Sequence, residues 1–177
     1  MNRVEIETKL NEGRNWLLEK YGALSGDQLH RPLTQSRHDP ENHWTPLDHL
    51  AHLALIERDF NAMVKRHFAG EANPVGLMND DQGQSRTRDQ IMAIVNARTE
   101  EWQVAHHDDT YSEVVSLTAA ARGATLRLLS ELSDAQLEEA LPGAPWADGT
   151  VGAVLATNAD HGRMHWKWLE EAGLATS

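Results

Sequence analysis

The chain has 177 residues, a formal net charge of −11 from 27 acidic and 16 basic residues, and no cysteine. Its length suits one domain with a hydrophobic core over residues 1–177, and its acidic surplus argues against binding to nucleic acid or to an anionic membrane surface. Without cysteine the chain has no disulfide, no thiolate ligand for zinc and no thiol nucleophile of its own.

The first helix is predicted from apolar residues at helical spacing, followed by a glycine stop. One face carries Ile6, Leu10, Leu17 and Tyr21, and Gly22 ends the pattern. The polar start lacks the apolar stretch of a signal peptide, and no run approaches the ~18 apolar residues that span a bilayer. A cytoplasmic protein is therefore expected, and residues 25–43 are predicted to be a loop with at most one short helical turn.

The second long helix has a strong start signal. Thr45 suits the N-cap, Pro46 suits the first helical position, and Asp48 supplies the third residue of a capping box. The apolar stripe then predicts a helix to about residue 68. The Gly-, Pro- and Asn-rich segment 70–85 is predicted to be a connection.

Helical patterns continue to the C-terminus. They predict an extra helix over 87–105, a long helix from Ser112, and a last helix that begins at Thr150 and runs without a break to a glycine stop at Gly173. No segment shows a convincing strand pattern. An all-α fold follows.

A faint internal duplication suggests how these helices are arranged. The sequences LSGDQL (24–29) and LSDAQL (132–137) are each followed by a Pro-containing loop, a tryptophan (Trp44 or Trp146) and a new helix. This pattern favours a four-helix bundle of two helix-loop-helix halves, joined by a long crossover that carries the extra helix. The alternative is that both hexapeptides are a common helix-end turn.

Two histidines four residues apart, His161 and His165, lie in the last predicted helix. This spacing places both rings on one helix face, one turn apart, where they can bind the same metal ion. The alternative is a pair of core histidines that hydrogen-bond neighbouring helices. The motif lacks the glutamate of the His-Glu-x-x-His pattern. A third ligand is expected from the second helix, where periodicity alone favours His49 over His52.

The stretch HWTPLDHLAHLALIERDF together with NADHGRMHWKWLEEAG resembles the DinB superfamily of four-helix metal-binding bundles, which includes mycothiol-dependent maleylpyruvate isomerases. The matching features are Trp44 and Thr45 at the helix start, His52 before a leucine, and His161 and His165. The resemblance implies a divalent metal held by His52, His161 and His165, and so prefers His52 to His49. Zinc is the first choice, and nickel or iron would accept the same nitrogen ligands.

The resemblance also implies a function. We expect a metal-dependent thiol transferase or isomerase that acts on a small electrophile with a low-molecular-weight thiol as cofactor. The alternatives are a metal-dependent hydrolase of a reactive small molecule and a noncatalytic bundle that binds a ligand or another chain. A homodimer is plausible for a helical bundle.

Other polar and aromatic residues receive structural interpretations. The HHDD run at 106–109 is interpreted as a solvated helix end rather than a second metal cluster. Among Asp48, Glu57 and Asn158, the last is the best candidate to orient a metal ligand. Four of the six tryptophans are interpreted as core residues rather than pocket walls: Trp44, Trp146, Trp166 and Trp168. Trp44 and Trp146 are expected to join the two halves.

Overall fold

The computed structural model describes residues 1–80, 82–144 and 148–174 and is mostly helical, as predicted. Trp146 lies outside the described residues. The elements in chain order are α1 (Arg3–Gly22), α2 (Gly26–Leu29), β1 (Thr34–Gln35), β2 (His43–Trp44), α3 (Pro46–Phe68), α4 (Arg88–His106), α5 (Tyr111–Glu131), α6 (Asp134–Leu137), α7 (Val151–Thr157) and α8 (His161–Glu171). Within the described ranges, no helix is both long and apolar enough to cross a membrane.

Capping boxes fix where the longer helices begin. The predicted start of α3 is confirmed: the Thr45 side chain accepts from the Asp48 backbone N–H, and the Asp48 carboxylate accepts from the Thr45 N–H at 2.8 Å. The same reciprocal arrangement begins α1, α4 and α5 at Asn2, Thr87 and Thr110. Each box satisfies backbone donors that the first helical turn leaves unpaired.

The repeated hexapeptides have a local physical explanation. Ser25 and Ser133 are the N-caps of the four-residue helices α2 and α6, and the glutamine three residues later completes a capping box in each. The leucines that flank each motif are buried. The two segments therefore share one compact turn whose ends are anchored in the core.

The helices pack around two apolar clusters. The helix α3 packs on α4, α5, α7 and α8, while α1 packs on α5, α7 and α8. One cluster includes Ile6, Val64 and Leu129, and the other includes Tyr21 and Trp166. Along α3, α5 and α8, buried polar residues occupy the level between these clusters, and the candidate site lies there.

Two expectations about secondary structure were wrong. Residues 34–35 and 43–44 form a short antiparallel pair, with Thr34 opposite Trp44, although two-residue strands leave no detectable sequence period. The last helix is also not continuous. Between α7 and α8 the backbone amides of Asn158, Ala159 and Asp160 bond to carbonyls three residues earlier, which tightens and breaks the helix.

This helix break is packed against a glycine of α1. A Cβ atom on Gly13 would lie 2.3 Å from the Ala159 carbonyl oxygen, which is a backbone atom and cannot rotate away. We expect Gly13→Ala to lower the free energy of unfolding by about 1–3 kcal/mol because of overpacking, as measured by urea denaturation. The matched control is Gly123→Ala in α5, where the added Cβ meets only the Arg127 side chain at 3.4 Å. The helical preference of alanine should make that control neutral or stabilising, and equal losses in both variants would contradict the argument.

Candidate metal centre

The three predicted ligands come together between α3 and α8. His52 lies two turns into α3, His161 is the first residue of α8, and His165 follows one turn later. One ring nitrogen from each lies within 4.8 Å of those of the other two. The Nε2 atoms of His161 and His165 are 3.0 Å apart, close to the ~3.3 Å that separates two nitrogen ligands of one tetrahedral zinc ion.

Burial keeps these imidazoles neutral at pH 7. Burial, with smaller contributions from neighbouring histidines, lowers the pKa of His52 to about 3. Burial also lowers the pKa of His161, and it lowers that of His165 well below its usual value, helped by nearby histidines and the Arg37 guanidinium. Metal binding requires deprotonated imidazole nitrogens, so the set is ready to bind a cation without releasing protons.

One histidine nitrogen at the site has no internal partner. His52 Nδ1 is buried and accepts or donates no hydrogen bond within the described part of the chain. An unpaired buried polar atom is costly, so it favours a partner from outside the protein. The donor set, three neutral nitrogens with one unsatisfied, fits a divalent transition metal better than a hard cation such as calcium.

His49, the alternative ligand, lies beside the cluster and contacts one of its members, His165. Its ring is buried, its Nε2 is 2.7 Å from the Thr34 hydroxyl, and its Nδ1 is 2.7 Å from His165 Nδ1. A series of hydrogen bonds, Thr34–His49–His165, thus runs from the β1–β2 hairpin to the candidate metal centre. The sequence did not predict that His49 links Thr34 to His165, because Thr34 lies in a segment without a periodic pattern.

The direction of these hydrogen bonds decides whether His165 can bind a metal. If His49 Nε2–H donates to Thr34, then His49 Nδ1 accepts from His165 Nδ1–H, and His165 Nε2 keeps a free lone pair at the centre. The opposite direction would place a proton on His165 Nε2. Partners at the outer nitrogen commonly fix the tautomer of metal-binding histidines, and Thr34 and His49 are in position to do so here.

The three histidines form part of the wall of a cavity of about 430 Å³, a size that suits a small-molecule ligand. The extra helix α4 supplies one wall through Met92, Val95 and Thr99, and the β1–β2 hairpin supplies another. The extra helix is therefore a wall of the site. Trp166 and Trp44 are buried, as expected for core residues, but Trp44 also lines the cavity. The half-buried Trp168 is a cavity wall, which the core interpretation missed.

The remaining candidates have separate structural roles. Asp48 caps α3 and lies 3.1 Å from His107 Nδ1. Asn158 Nδ2 is buried without a partner in the described chain and borders, with His161, a cavity of about 30 Å³ that is large enough for one water molecule. The HHDD run is the C-terminal end of α4, and the described residues contain no metal-binding cluster of three such groups there.

Glu57 belongs to a buried ion pair next to this small cavity. Its carboxylate accepts from Arg122 Nε at 2.6 Å and from the Thr125 hydroxyl at 2.7 Å, while Arg122 also donates to the Leu10 carbonyl. Both charged side chains are less than one-tenth exposed. This network joins α1, α3 and α5 at the level of the histidines.

Removing one member of this pair leaves a buried charge without its partner. We expect Glu57→Ala to lower the free energy of unfolding by about 3–5 kcal/mol, and Glu57→Gln, which keeps the side-chain shape, to show most of that loss. Urea denaturation measures both. The control Glu71→Ala breaks an exposed pair at 3.8 Å and should cost no more than about 0.5 kcal/mol. A loss below about 1 kcal/mol for Glu57→Ala would contradict this role.

Comparisons with known proteins place this geometry in a family context. Residues 9–169 match the model of the DinB superfamily. A crystal structure of an uncharacterised protein from Escherichia coli UTI89 superposes with a TM-score of 0.59 over 96% of this chain and 91% of that one, at 15% sequence identity. At this identity the likeness concerns the fold alone. No curated protein matches the sequence.

Proposed function

The chain belongs to the DinB superfamily, and we propose that it is a metal-dependent enzyme that transfers a low-molecular-weight thiol to a small electrophile, or isomerises that electrophile with the thiol's help. His52, His161 and His165 hold one divalent ion, with zinc as the first choice. The observation that carries the proposal is the convergence of three neutral imidazoles, within 4.8 Å of one another, on a ligand-sized cavity. Three nitrogen ligands leave a coordination position for a substrate atom, as in catalytic rather than structural zinc sites.

A bound divalent ion supplies the Lewis acidity that lowers the pKa of a thiol or polarises a carbonyl. The protein's own residues do the rest. Thr34 and His49 hold His165 in the tautomer with its Nε2 lone pair free. The apolar side chains of Trp44, Ile56 and Val95 keep much of the cavity dry, which strengthens electrostatic interactions inside it.

One feature favours thiol chemistry over hydrolysis. The chain has no cysteine, so in thiol chemistry the sulfur nucleophile would enter with a cofactor, and the choice between the two reactions depends on the carboxylates of the cavity. Glu100 is the one carboxylate among the described residues of the cavity wall, and its two oxygens accept from Ser36 Oγ and Asn42 Nδ2, both at 2.6 Å. No free carboxylate among these residues is therefore positioned to activate water as a general base.

The test combines metal analysis with a thiol-dependent assay. Full-length protein purified without chelator is analysed by mass spectrometry for zinc, nickel and iron. It is then assayed for conjugation of 1-chloro-2,4-dinitrobenzene and for consumption of maleylpyruvate, each with glutathione, mycothiol or bacillithiol. We expect about one ion per chain and turnover that requires both the ion and one of the thiols.

Other outcomes separate the alternatives. Metal-dependent loss of electrophile without any thiol would replace the proposal with a hydrolase. Absence of bound metal, even after incubation with each of the three ions, would overturn the enzyme proposal and leave a binding bundle.

A further inference from the structure

One cationic side chain at the cavity has no counter-charge. Arg37 lies on the loop between β1 and β2, and its guanidinium carbon is 5.5 Å from the centre of the Trp168 ring. Within the described part of the chain it forms no ion pair and no hydrogen bond through its side chain. Stacking on an aromatic face orients a guanidinium and leaves its N–H edge free for a planar anion.

Arg37 is connected to the three-histidine cluster by a short aromatic path. The ring of Trp168 lies edge-on to that of His165, with 4.7 Å between the ring centres. All three residues line the same cavity. A ligand bound to the Arg37 edge can therefore lie along Trp168 with its far end at the histidines.

The position of the charged groups favours an anion at Arg37. The histidines of the cluster are neutral, and the Glu100 carboxylate is occupied by Ser36 and Asn42. Because Ser36 and Asn42 lie on the loop that carries Arg37 and Glu100 lies on α4, these two hydrogen bonds also hold the loop against α4. Arg37 is thus the one arginine or lysine among the described lining residues, and Glu100, which has no ion-pair partner either, has both oxygens bonded to loop side chains. A bound divalent ion would add positive charge at the histidines.

We propose that this cavity binds a small carboxylate with an apolar body, whose carboxylate is held by the Arg37 guanidinium and whose body packs along Trp168 towards the histidines. This inference rests on the proposed function in one respect: the end of the ligand opposite its carboxylate lies at the three histidines, where the proposed reaction takes place. The carboxylate belongs either to the electrophilic substrate or to the thiol cofactor, and both sources share the same recognition by Arg37.

Binding of matched acids and neutral analogues tests the proposal. Full-length protein, as purified with its metal and again after chelator treatment, is titrated with 4-phenylbutyrate and with 4-phenylbutyramide, and tryptophan fluorescence reports binding. The pair 6-mercaptohexanoate and 6-mercaptohexanol tests the thiol source in the same way. The variant Arg37→Gln is compared with Arg37→Lys and with Arg127→Gln, which removes the same charge from the exposed surface of α5.

We expect Arg37→Gln to weaken acid binding by about three- to tenfold without changing amide or alcohol binding, as for loss of one partly solvated charge pair. Arg37→Lys should recover part of the loss, and Arg127→Gln should have no effect. Dependence on Arg37 for phenylbutyrate assigns the carboxylate to the substrate, whereas dependence for the mercapto acid alone assigns it to the thiol.

Two results would overturn the inference. One is equal binding of acids and neutral analogues. The other is acid binding that disappears with the metal but is unchanged in Arg37→Gln, which would mean that the carboxylate binds the ion directly. Failure of the proposed function is recognised separately, from the metal content of the same samples, since the Arg37 dependence is also measured after chelator treatment.

Discussion

Replacing His161 with alanine will lower the affinity for zinc by more than about 100-fold, whereas replacing His49 with alanine will lower it by about 10- to 100-fold. The difference arises because His161 offers its own Nε2 to the ion, while His49 acts through a hydrogen bond to His165. Loss of an outer partner of this kind commonly costs 10–100-fold in metal affinity. Competition titration with a chromophoric chelator at pH 7 measures these affinities directly.

The same titration needs a histidine that lies outside the centre. His67→Ala, in the last turn of α3, removes an imidazole that lies beside Glu139 and the Phe68 ring and does not belong to the three-histidine cluster, and zinc affinity should not change. If His49→Ala were as damaging as His161→Ala, His49 would be a ligand and not a positioning residue. Unchanged affinity in His161→Ala would remove the three-histidine site altogether. Urea denaturation of the metal-free variants checks that each one still folds.

The three-histidine cluster could be predicted from the sequence because local rules determine most of it. A threonine cap and Pro46 fix the start of α3, and therefore the helical position of His52. The spacing of His161 and His165 places them one turn apart whether or not the helix before them is broken. The choice between His49 and His52, however, depends on a small rotation of α3 about its axis. Periodicity favoured His49, whereas the family resemblance favoured His52, which is the residue that lies in the three-histidine cluster.

The surroundings of the site could not be predicted, because they depend on contacts between distant segments. The helix break before His161 contains Ala159, whose carbonyl packs closely on Gly13, 146 residues earlier in the chain. The hairpin that brings Thr34 to His49 has two residues in each strand, too few to show an alternating pattern. The helix α4 forms a cavity wall because it packs on α3. The apolar periodicity of residues 87–105 predicts a helix but does not specify which helix it packs against.

Acid will destabilise the metal-free protein strongly, because three neighbouring histidines are buried in their neutral form and a fourth, His161, is half-buried beside them. Burial lowers the pKa of His49 to about 4 and that of His52 to about 3, and it lowers the pKa of His161 and His165 as well. In the unfolded chain each of these groups takes up a proton near pH 6.5. Between that pH and about 4 the unfolded state binds more protons than the folded state, so stability falls as the pH falls.

The size of this effect follows from the number of protons. Each histidine that stays neutral in the folded protein costs up to about 2 kcal/mol between pH 7 and pH 5, and the three buried ones cost about 4–6 kcal/mol together. Much of the stability of a typical domain would be lost over this range. Urea denaturation of chelator-treated protein at pH 7, 6 and 5 measures the loss. His49→Leu should reduce the slope of stability against pH by up to one proton. A wild-type stability that stays flat from pH 7 to pH 5 would show that the imidazoles are not held neutral by burial.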